Sequence, residues 1–465
     1  MENQNETQKN PQYKYASTRE KLCFGIGAIG KDAICNLVGA FLMLYFTDTL
    51  YLAPAFVGVL FFVARIWDAI NDPVMGMICD NTHTKFGKFR IWLVIGTLLN
   101  SVAFVLLFHS FHLSGTSLYI YVSVMYILYG MTYTIMDVPY WSWLPNLTND
   151  PHERESVSVI PRFFASLAGF SIGVFGLSMI NGMDKIFGNG DRTAGFRMVA
   201  LVISILFVFT ISVTIINVKE KVTEKAAEHT SFKQIINILF KNKQLIAYIG
   251  LLLAYNLCMQ IVNGIIIYYF KYVAGKEGLF SIFSVCILAE MGGLVVFPKI
   301  VKKLGREKMF AMACTFPIIG LIIIAVAGFV APTNPLFVIL GAGILKLGSG
   351  FELGVVTVCI ADVIDYNELL FGTRNESIIC STQTFLMKAS QAVSGLLTGV
   401  GLAMVGYNAS LPQQSTATLN GIRIIMIVIP MVFAVISYLI YAKAYKLKGD
   451  YLNNMVKELN VVHEA

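Results

Sequence analysis

Asp68 and Asp72 stand four residues apart inside residues 55–79, an apolar run of membrane-spanning length that also carries Arg65 on the same helical face. Four residues are about one helical turn, so the two carboxylates are neighbours roughly 6 Å apart along the axis. Two anions that close repel unless something positive sits with them. A bound alkali cation or a proton relieves the repulsion, because carboxylate oxygens suit hard ions and paired carboxylates raise one another's proton affinity. In hydrocarbon each charge costs on the order of 3 kcal/mol, so a span that keeps three of them needs a use for them. Neutralisation of Asp68 by Arg65, serving stability alone, is the alternative.

A second pattern lies in residues 118–144. Thr134 adds a hydroxyl three residues before Asp137, which extends the set of oxygen donors for a cation. Tyr133, Asp137 and Trp141 follow at i, i+4 and i+8, a stripe of aromatic, acid and aromatic down one side of a helix. Sugars are bound by such groups: a ring face stacks on an aromatic, and hydroxyls bond to carboxylate, amide or basic side chains. Aromatics at this spacing also serve packing or the interfacial belt, but the acid between these two shifts the balance towards binding. Lys31 and Asp32 in the first span and Lys388 in the eleventh are expected in the membrane interior, with Gln383 and Thr384 on the same helix as Lys388. Lys388 is a candidate partner for Asp68, Asp72 or Asp137. Arg162 is expected to open the fifth span, either at the same pocket or as a positive interfacial anchor.

The elements that position these groups are membrane helices. Of 465 residues 56% are hydrophobic and only 14% charged, with a mean hydropathy of +0.68. A bilayer core demands about 20 apolar residues of each helix, and about twelve runs qualify. They lie near 22–50, 55–79, 91–111, 118–144, 158–181, 195–217, 244–272, 278–300, 309–331, 335–360, 377–405 and 420–444, and leave no room for a soluble catalytic domain. Residues 1–21 are polar and lack the apolar core of a signal peptide. Most Lys and Arg fall on the cytoplasmic side if both termini are cytoplasmic. That bias accounts for most of the net charge of +7, which therefore implies no nucleic-acid partner. The eight cysteines are scattered among apolar residues with no metal-ligand spacing and read as reduced, buried thiols.

The fold class expected is an all-α integral membrane protein of twelve transmembrane helices in two six-helix pseudo-repeats, residues 22–218 and 244–444. A polar cytoplasmic linker, 219–243, joins them, with cytoplasmic segments 1–21 and 445–465 at the ends. Lys85-Phe86-Gly87-Lys88-Phe89-Arg90 after the second span and Lys303-Leu304-Gly305-Arg306-Glu307-Lys308 after the eighth are alike, as a parallel repeat produces. This is the layout of the major facilitator architecture. Gly25-x-Gly27-x-x-Gly30 matches a dinucleotide fingerprint, but with no strand before it the glycines are expected to serve helix packing.

Phe24 to Asp32, Ala64 to Pro73, Gly130 to Pro139, Pro161 to Gly169, Ala361 to Tyr366 and Gln383-Thr384 closely resemble the glycoside-pentoside-hexuronide cation symporters of the major facilitator superfamily. The resemblance covers nearly the whole chain after residue 20. It implies that Asp68, Asp72 and Thr134 hold the coupling cation, with Lys388 close by. It also implies that Lys31, Asp32, Tyr133, Asp137, Trp141, Arg162, Gln383 and Thr384 line a galactoside site. The chain departs from the pattern at Leu353, where the melibiose carriers of that family have a Trp, and at Lys346, Glu352 and Glu290, where they have uncharged residues. Lys346 and Glu290, at similar depth, are expected to form an extra buried ion pair.

The expected activity is secondary active symport, in a bacterial plasma membrane, of a galactoside such as melibiose with Na⁺, Li⁺ or H⁺. No other cofactor, no catalytic residue and no regulatory protein partner is read from the chain. Transport of another glycoside, a pentoside or a hexuronide on the same fold is the near alternative. An intramembrane prenyltransferase built on Asp68-x-x-x-Asp72 is the remote one, with Asp362 and Asp365 as its only candidate second cluster. Asp362, Asp365, Glu368, Arg374 and Glu376 are expected in a cytoplasmic loop, either solvated or, with Arg65, part of a salt-bridged gate.

Overall fold

The computed structural model describes residues 15–148, 151–188, 192–220, 241–372, 376–411 and 413–464, and among them every regular element is helical. The helices are α1 (Thr18–Leu44), α2 (Pro54–Asp80), α3 (Arg90–Leu107), α4 (Gly115–Trp143), α5 (Pro151–Met183), α6 (Arg192–Asn217) and α7 (Lys243–Tyr268). There follow α8 (Leu279–Val285), α9 (Ile287–Leu304), α10 (Arg306–Val330), α11 (Pro335–Phe371), α12 (Glu376–Met404), α13 (Thr416–Arg423), α14 (Ile429–Lys443) and α15 (Gly449–Glu464). Among the described residues eleven helical stretches are long and apolar enough to cross a membrane. The remaining expected span coincides with α12, which carries Gln383, Thr384, Lys388, Ser390 and Ser394. Outward-facing apolar side chains such as Val59, Ile205, Phe209, Val295, Val330 and Leu336 are exposed, as lipid contact requires.

Contacts group the chain into two compact units, Met1–Tyr45 with Ile66–Glu228 and Phe46–Arg65 with His229–Ala465. In the first unit α1 begins with a capping box. Ser17 Oγ accepts from the Glu20 amide, and the Glu20 carboxylate accepts from the Ser17 amide at 2.9 Å. Its fingerprint glycines are contact points. A methyl on Gly25 would stand 2.6 Å from the Phe164 ring of α5, and one on Gly30 would stand 2.5 Å from the Phe207 backbone of α6. With α1 drawn that close, Thr214 Oγ1 donates to the Cys23 carbonyl at 2.8 Å and the buried Tyr140 hydroxyl to the Phe24 carbonyl at 2.6 Å.

The repeated loops share a backbone device. Gly87 and Gly305 have φ of +106° and +81°, which a side chain would strain. In the first unit the Glu220 carboxylate accepts from the amides of Lys88, Phe89 and Arg90, the open N-terminus of α3. In the second unit the residue after the glycine, Arg306, donates to Asp362 at 2.7 Å.

The second unit is centred on α7, buried almost all round with Tyr248, Tyr255, Cys258 and Tyr268 in the interior. Gly58 and Gly399 let α2 and α12 touch: a methyl on Gly58 would be 3.0 Å from the Gly399 Cα. Pro317 has no amide to give the Ala313 carbonyl one turn earlier, and the Tyr255 hydroxyl donates to that carbonyl at 3.4 Å instead.

One sequence expectation is corrected here. α11 does not stop near residue 360 but runs to Phe371, so Asp362, Asp365 and Glu368 lie on its last turns and not in a loop. The extra turns are held by the Asp362 pair with Arg306 and by buried Asn367, which accepts from Asn242 at 3.3 Å; Gly372 then ends the helix at φ +67°. α5 starts at Pro151, ahead of the apolar stretch Val159–Gly188 that can cross a membrane, so Arg162 stands near the opening of that span as expected. Arg374 and residues 221–240 of the expected linker lie outside the described residues.

Candidate functional site

Lys31 is the centre of the charged group in the first unit. It is 1% exposed, and its ammonium lies 2.9 Å from Asp137 Oδ1 on α4 and 3.1 Å from Asp32 Oδ2 beside it. The same nitrogen stands 4.7 Å from the centre of the Trp141 ring and 5.3 Å from that of Tyr140. A buried ammonium needs this much support, since desolvating it alone costs several kcal/mol. Gly30, directly before it, is the residue that brings α1 against α6 and so fixes the depth of Lys31.

The α4 stripe is thereby assembled. Trp141 and Asp137 meet at Lys31, and Tyr133 packs its ring 6.0 Å from that of Tyr129 one turn earlier. One cation serves two carboxylates here, so the trio carries a formal charge of −1, from +1 for Lys31 and −1 each for Asp32 and Asp137. Half-buried acid oxygens beside an indole face are suited to sugar hydroxyls and a sugar ring.

Thr134 points elsewhere. Buried on α4, it donates its hydroxyl to Asp72 Oδ1 of α2 at 3.0 Å. Asp68, one turn back, approaches α4 at Gly130, where a methyl would come within 2.9 Å of Asp68 Oδ1. Pro73 removes the amide that would otherwise bond the Ala69 carbonyl, leaving another hard oxygen between the two acids in sequence. Two carboxylates, a hydroxyl and a freed carbonyl fit a small hard cation. Among the described residues no group of three or more His, Cys, Asp or Glu side chains is placed to hold a metal ion, so a cation here would depend on these mixed oxygens.

Asp137 therefore does not stand with Asp68 and Asp72 as a third unneutralised acid. Asp137 is neutralised by Lys31 and turns towards α1, while Thr134, three residues earlier, turns towards α2. The reason is helical: three residues span about 300°, so neighbours on one flank of α4 still address different partners.

Arg162 is exposed on α5, and Arg65 is half-buried on α2. On α12, Gln383 and Lys388 are half-buried and Thr384 is exposed. Asp362 is bound to Arg306. The expected Lys346 to Glu290 pair is present at 3.3 Å. Seven cysteines are free thiols among the described side chains.

Sequence reasoning missed Asp48. Its nearly inaccessible carboxylate accepts from Lys271, from the Tyr272 hydroxyl at 2.6 Å and from the Tyr407 hydroxyl at 2.5 Å, while Thr47 bonds Tyr268 at 2.8 Å. The signal was one acid closing an apolar run, followed far off by Tyr-Phe-Lys-Tyr at 269–272. No spacing rule connects residues 223 apart.

Comparison with known proteins identifies the family. The family model described as MFS/sugar transport protein matches residues 23–449. An isoprimeverose transporter of Lactiplantibacillus pentosus is 30% identical over 408 residues, covering 86% of this chain and 84% of that protein. A putative glycoside/cation symporter, YagG, of Escherichia coli is 30% identical over 96% of this chain and 95% of its own. A lactose permease of Lactobacillus helveticus is 25% identical over 94% and 71%. Among solved structures, a bacterial homologue of the human lysosomal transporter Spinster superposes with a TM-score of 0.68 at 12% identity over 92% of this chain and 95% of its own, a likeness of fold.

Proposed function

The chain belongs to the MFS/sugar transport protein family, and from that premise we propose that it is a secondary active symporter, carrying a glycoside with a monovalent cation by alternating access. Its relatives and structural neighbours are membrane transporters, so it is a transporter and not an enzyme, and the prenyltransferase reading falls.

The observation that carries the proposal is the division of α4 between two chemistries one turn apart. Asp72 with Thr134, and Asp68 beside Gly130, offer oxygens to Na⁺, Li⁺ or H⁺. Lys31, Asp32, Asp137, Trp141 and Tyr133 offer hydroxyl partners and a stacking face to a galactoside such as melibiose. Arg162, Gln383, Thr384 and Lys388 are proposed as further sugar contacts, and Arg65, Asp362, Asp365 and Arg374 as a charge network at the cytoplasmic side. A cation arriving first lowers the repulsion between Asp68 and Asp72 and stiffens α2 against α4, which in turn sets the stripe that receives the sugar. Linkage then requires sugar to tighten cation binding by the same factor. One charge moving down about 100 mV supplies about 2.3 kcal/mol, roughly 50-fold accumulation before any chemical gradient. The reading puts both termini on the cytoplasmic face of a bacterial plasma membrane.

The relatives named for isoprimeverose and lactose favour a second reading, another glycoside on the same site. Counterflow in proteoliposomes with labelled melibiose, lactose, isoprimeverose and glucuronide, each with Na⁺, Li⁺ or protons alone, decides sugar and cation together. Sugar exchange indifferent to every cation would overturn the symport proposal.

A further inference from the structure

Glu352 lies in the interior of α11, 4% exposed, and its Oε1 has no hydrogen-bond partner among the described residues. Its sequence neighbours Phe351 and Val355 belong to the buried cluster that also holds Tyr255, Cys314 and Phe297. The Tyr255 hydroxyl of that cluster is already used: it donates to the Ala313 carbonyl freed by Pro317. The groups that act on Glu352 electrically are Glu290 of α9, Tyr255 and Cys258 of α7, Cys314 of α10 and Cys359 of α11 itself. None of these is cationic. The one nearby cation on α11, Lys346, lies against Glu290 at 3.3 Å.

Glu290 is brought to this region by glycines. A methyl on Gly350, two residues before Glu352, would collide with the Glu290 carbonyl oxygen, and one on Gly293 would stand 3.4 Å from the Gly350 Cα. One ammonium therefore serves the neighbourhood of two carboxyls. An ionised carboxylate buried without donor or counter-charge is so costly that it takes up a proton instead.

We propose that Glu352 is a proton-binding site of the second unit, neutral at rest, so that Lys346, Glu290 and Glu352 together hold one exchangeable proton and no net charge. Its ligand is a proton, and it is distinct from the Asp68 and Asp72 oxygens of the first unit. If the transport reading stands, a cycle that opens the core to water exchanges this proton, and uptake loses its alkaline limb when Glu352 is replaced by a permanently neutral residue.

The test does not need transport. Infrared spectra of the purified protein carrying ¹³C-glutamate are recorded at about pH 8, where exposed glutamates, with ordinary pKa about 4.3, are ionised. A carbonyl band from a protonated glutamate, absent in Glu352→Gln and retained in Glu290→Gln, is the expected result. Absence of that band in the wild-type protein, or its persistence in Glu352→Gln, overturns the site whatever the protein carries. Should Glu352→Gln fail to accumulate, Glu352→Leu replaces it, since an apolar side chain of similar size is tolerated where a neutral acid stood. Uptake against pH is the second arm: wild type falling at alkaline pH and Glu352→Gln staying flat supports exchange during the cycle, while parallel profiles overturn that part alone.

Discussion

Lys31 Nζ lies 2.9 Å from Asp137 Oδ1 and so ties α1 to α4 across 106 residues of sequence. The same ammonium holds Asp32 and faces the Trp141 ring, so one side chain fixes an acid, an aromatic and the helix pair that presents them. Any sugar hydroxyl that takes an Asp137 oxygen must do so beside an ion pair already made, which orients the acid before the ligand arrives.

Removing the cation should cost more than removing the pair. Lys31→Met leaves Asp32 and Asp137 without their counter-charge, and breaking one side of a buried pair costs about 3–5 kcal/mol. Lys31→Met with Asp137→Asn should recover part of that loss in thermal melts of the detergent-solubilised protein, and neither variant should bind sugar as wild type does. Equal melting of the single and double variants would refute the pairing as a stabilising contact.

Thr134 should set cation affinity and leave folding nearly alone. Its hydrogen bond to Asp72 is to a charged acceptor, worth roughly 1.5–3 kcal/mol when it restrains the carboxylate, so Thr134→Ala should raise the half-saturating cation concentration by about tenfold. Thr134→Ser keeps the hydroxyl and should stay within a few-fold of wild type, whereas Asp72→Asn should abolish cation stimulation. The measurement is sugar uptake into proteoliposomes titrated with Na⁺ or Li⁺.

The helices, their apolarity and the candidate site residues of α1, α2 and α4 are legible in the sequence because membrane helices have one period and charges inside them are conspicuous by cost. Asp68-x-x-x-Asp72 and the Tyr133, Asp137, Trp141 stripe are local patterns. What was not legible is which partner each charge chooses. Asp137 turning to Lys31 and Thr134 turning to Asp72 depend on how α4 is rotated, and that rotation is set by Gly96 and Gly130, whose missing side chains admit the Met136 backbone and the Asp68 carboxylate. The end of α11 lies beyond the apolar run for a related reason: hydropathy stops where polar residues begin, but Asp362 continues its helix because Arg306 receives it.

Lys346 and Glu290 illustrate a long-range pair that depth alone anticipated, now at 3.3 Å with both side chains mostly buried. Lys346→Met should lower the melting temperature and the yield of folded protein, and adding Glu290→Gln should restore part of both, because the second change removes the acid stranded by the first. Non-restoration in the double variant would show that Lys346 acts otherwise.

His109 gives a pH dependence outside the spans. Partial burial, then the charges of Arg197 and His112, hold its imidazole below the ordinary value, and its Nδ1 lies 3.2 Å from Arg197 Nη1. With a depressed folded pKa the unfolded chain binds the proton more readily, so this contribution is complete above the ordinary value of about 6.5 and is lost as pH falls through the folded value. Melting temperature should fall on acidification below about pH 6.5, less so in His109→Gln, which has no ring to protonate. Identical acid sensitivity of the two proteins would assign the effect to other groups.

Gly130→Ala separates binding from stability. The added methyl would lie 2.9 Å from Asp68 Oδ1, closer than such contacts allow, yet the atom it meets is the end of a rotatable side chain and can swing aside. Alanine also improves a helix interior by about 0.5–1 kcal/mol relative to glycine, which offsets the small cost of the swing. The fold should therefore melt near the wild-type temperature while Asp68 no longer points where it did, and cation-stimulated uptake should need at least about tenfold more cation if that carboxylate is a ligand, a loss of about 1.4 kcal/mol. Gly76→Ala on α2 is the matched control, since a methyl there meets nothing within 4 Å and should leave the cation titration unchanged. If the two alanine variants titrate alike, Asp68 does not hold the coupling ion, because the one change that must displace its oxygen would have had no consequence for the ion.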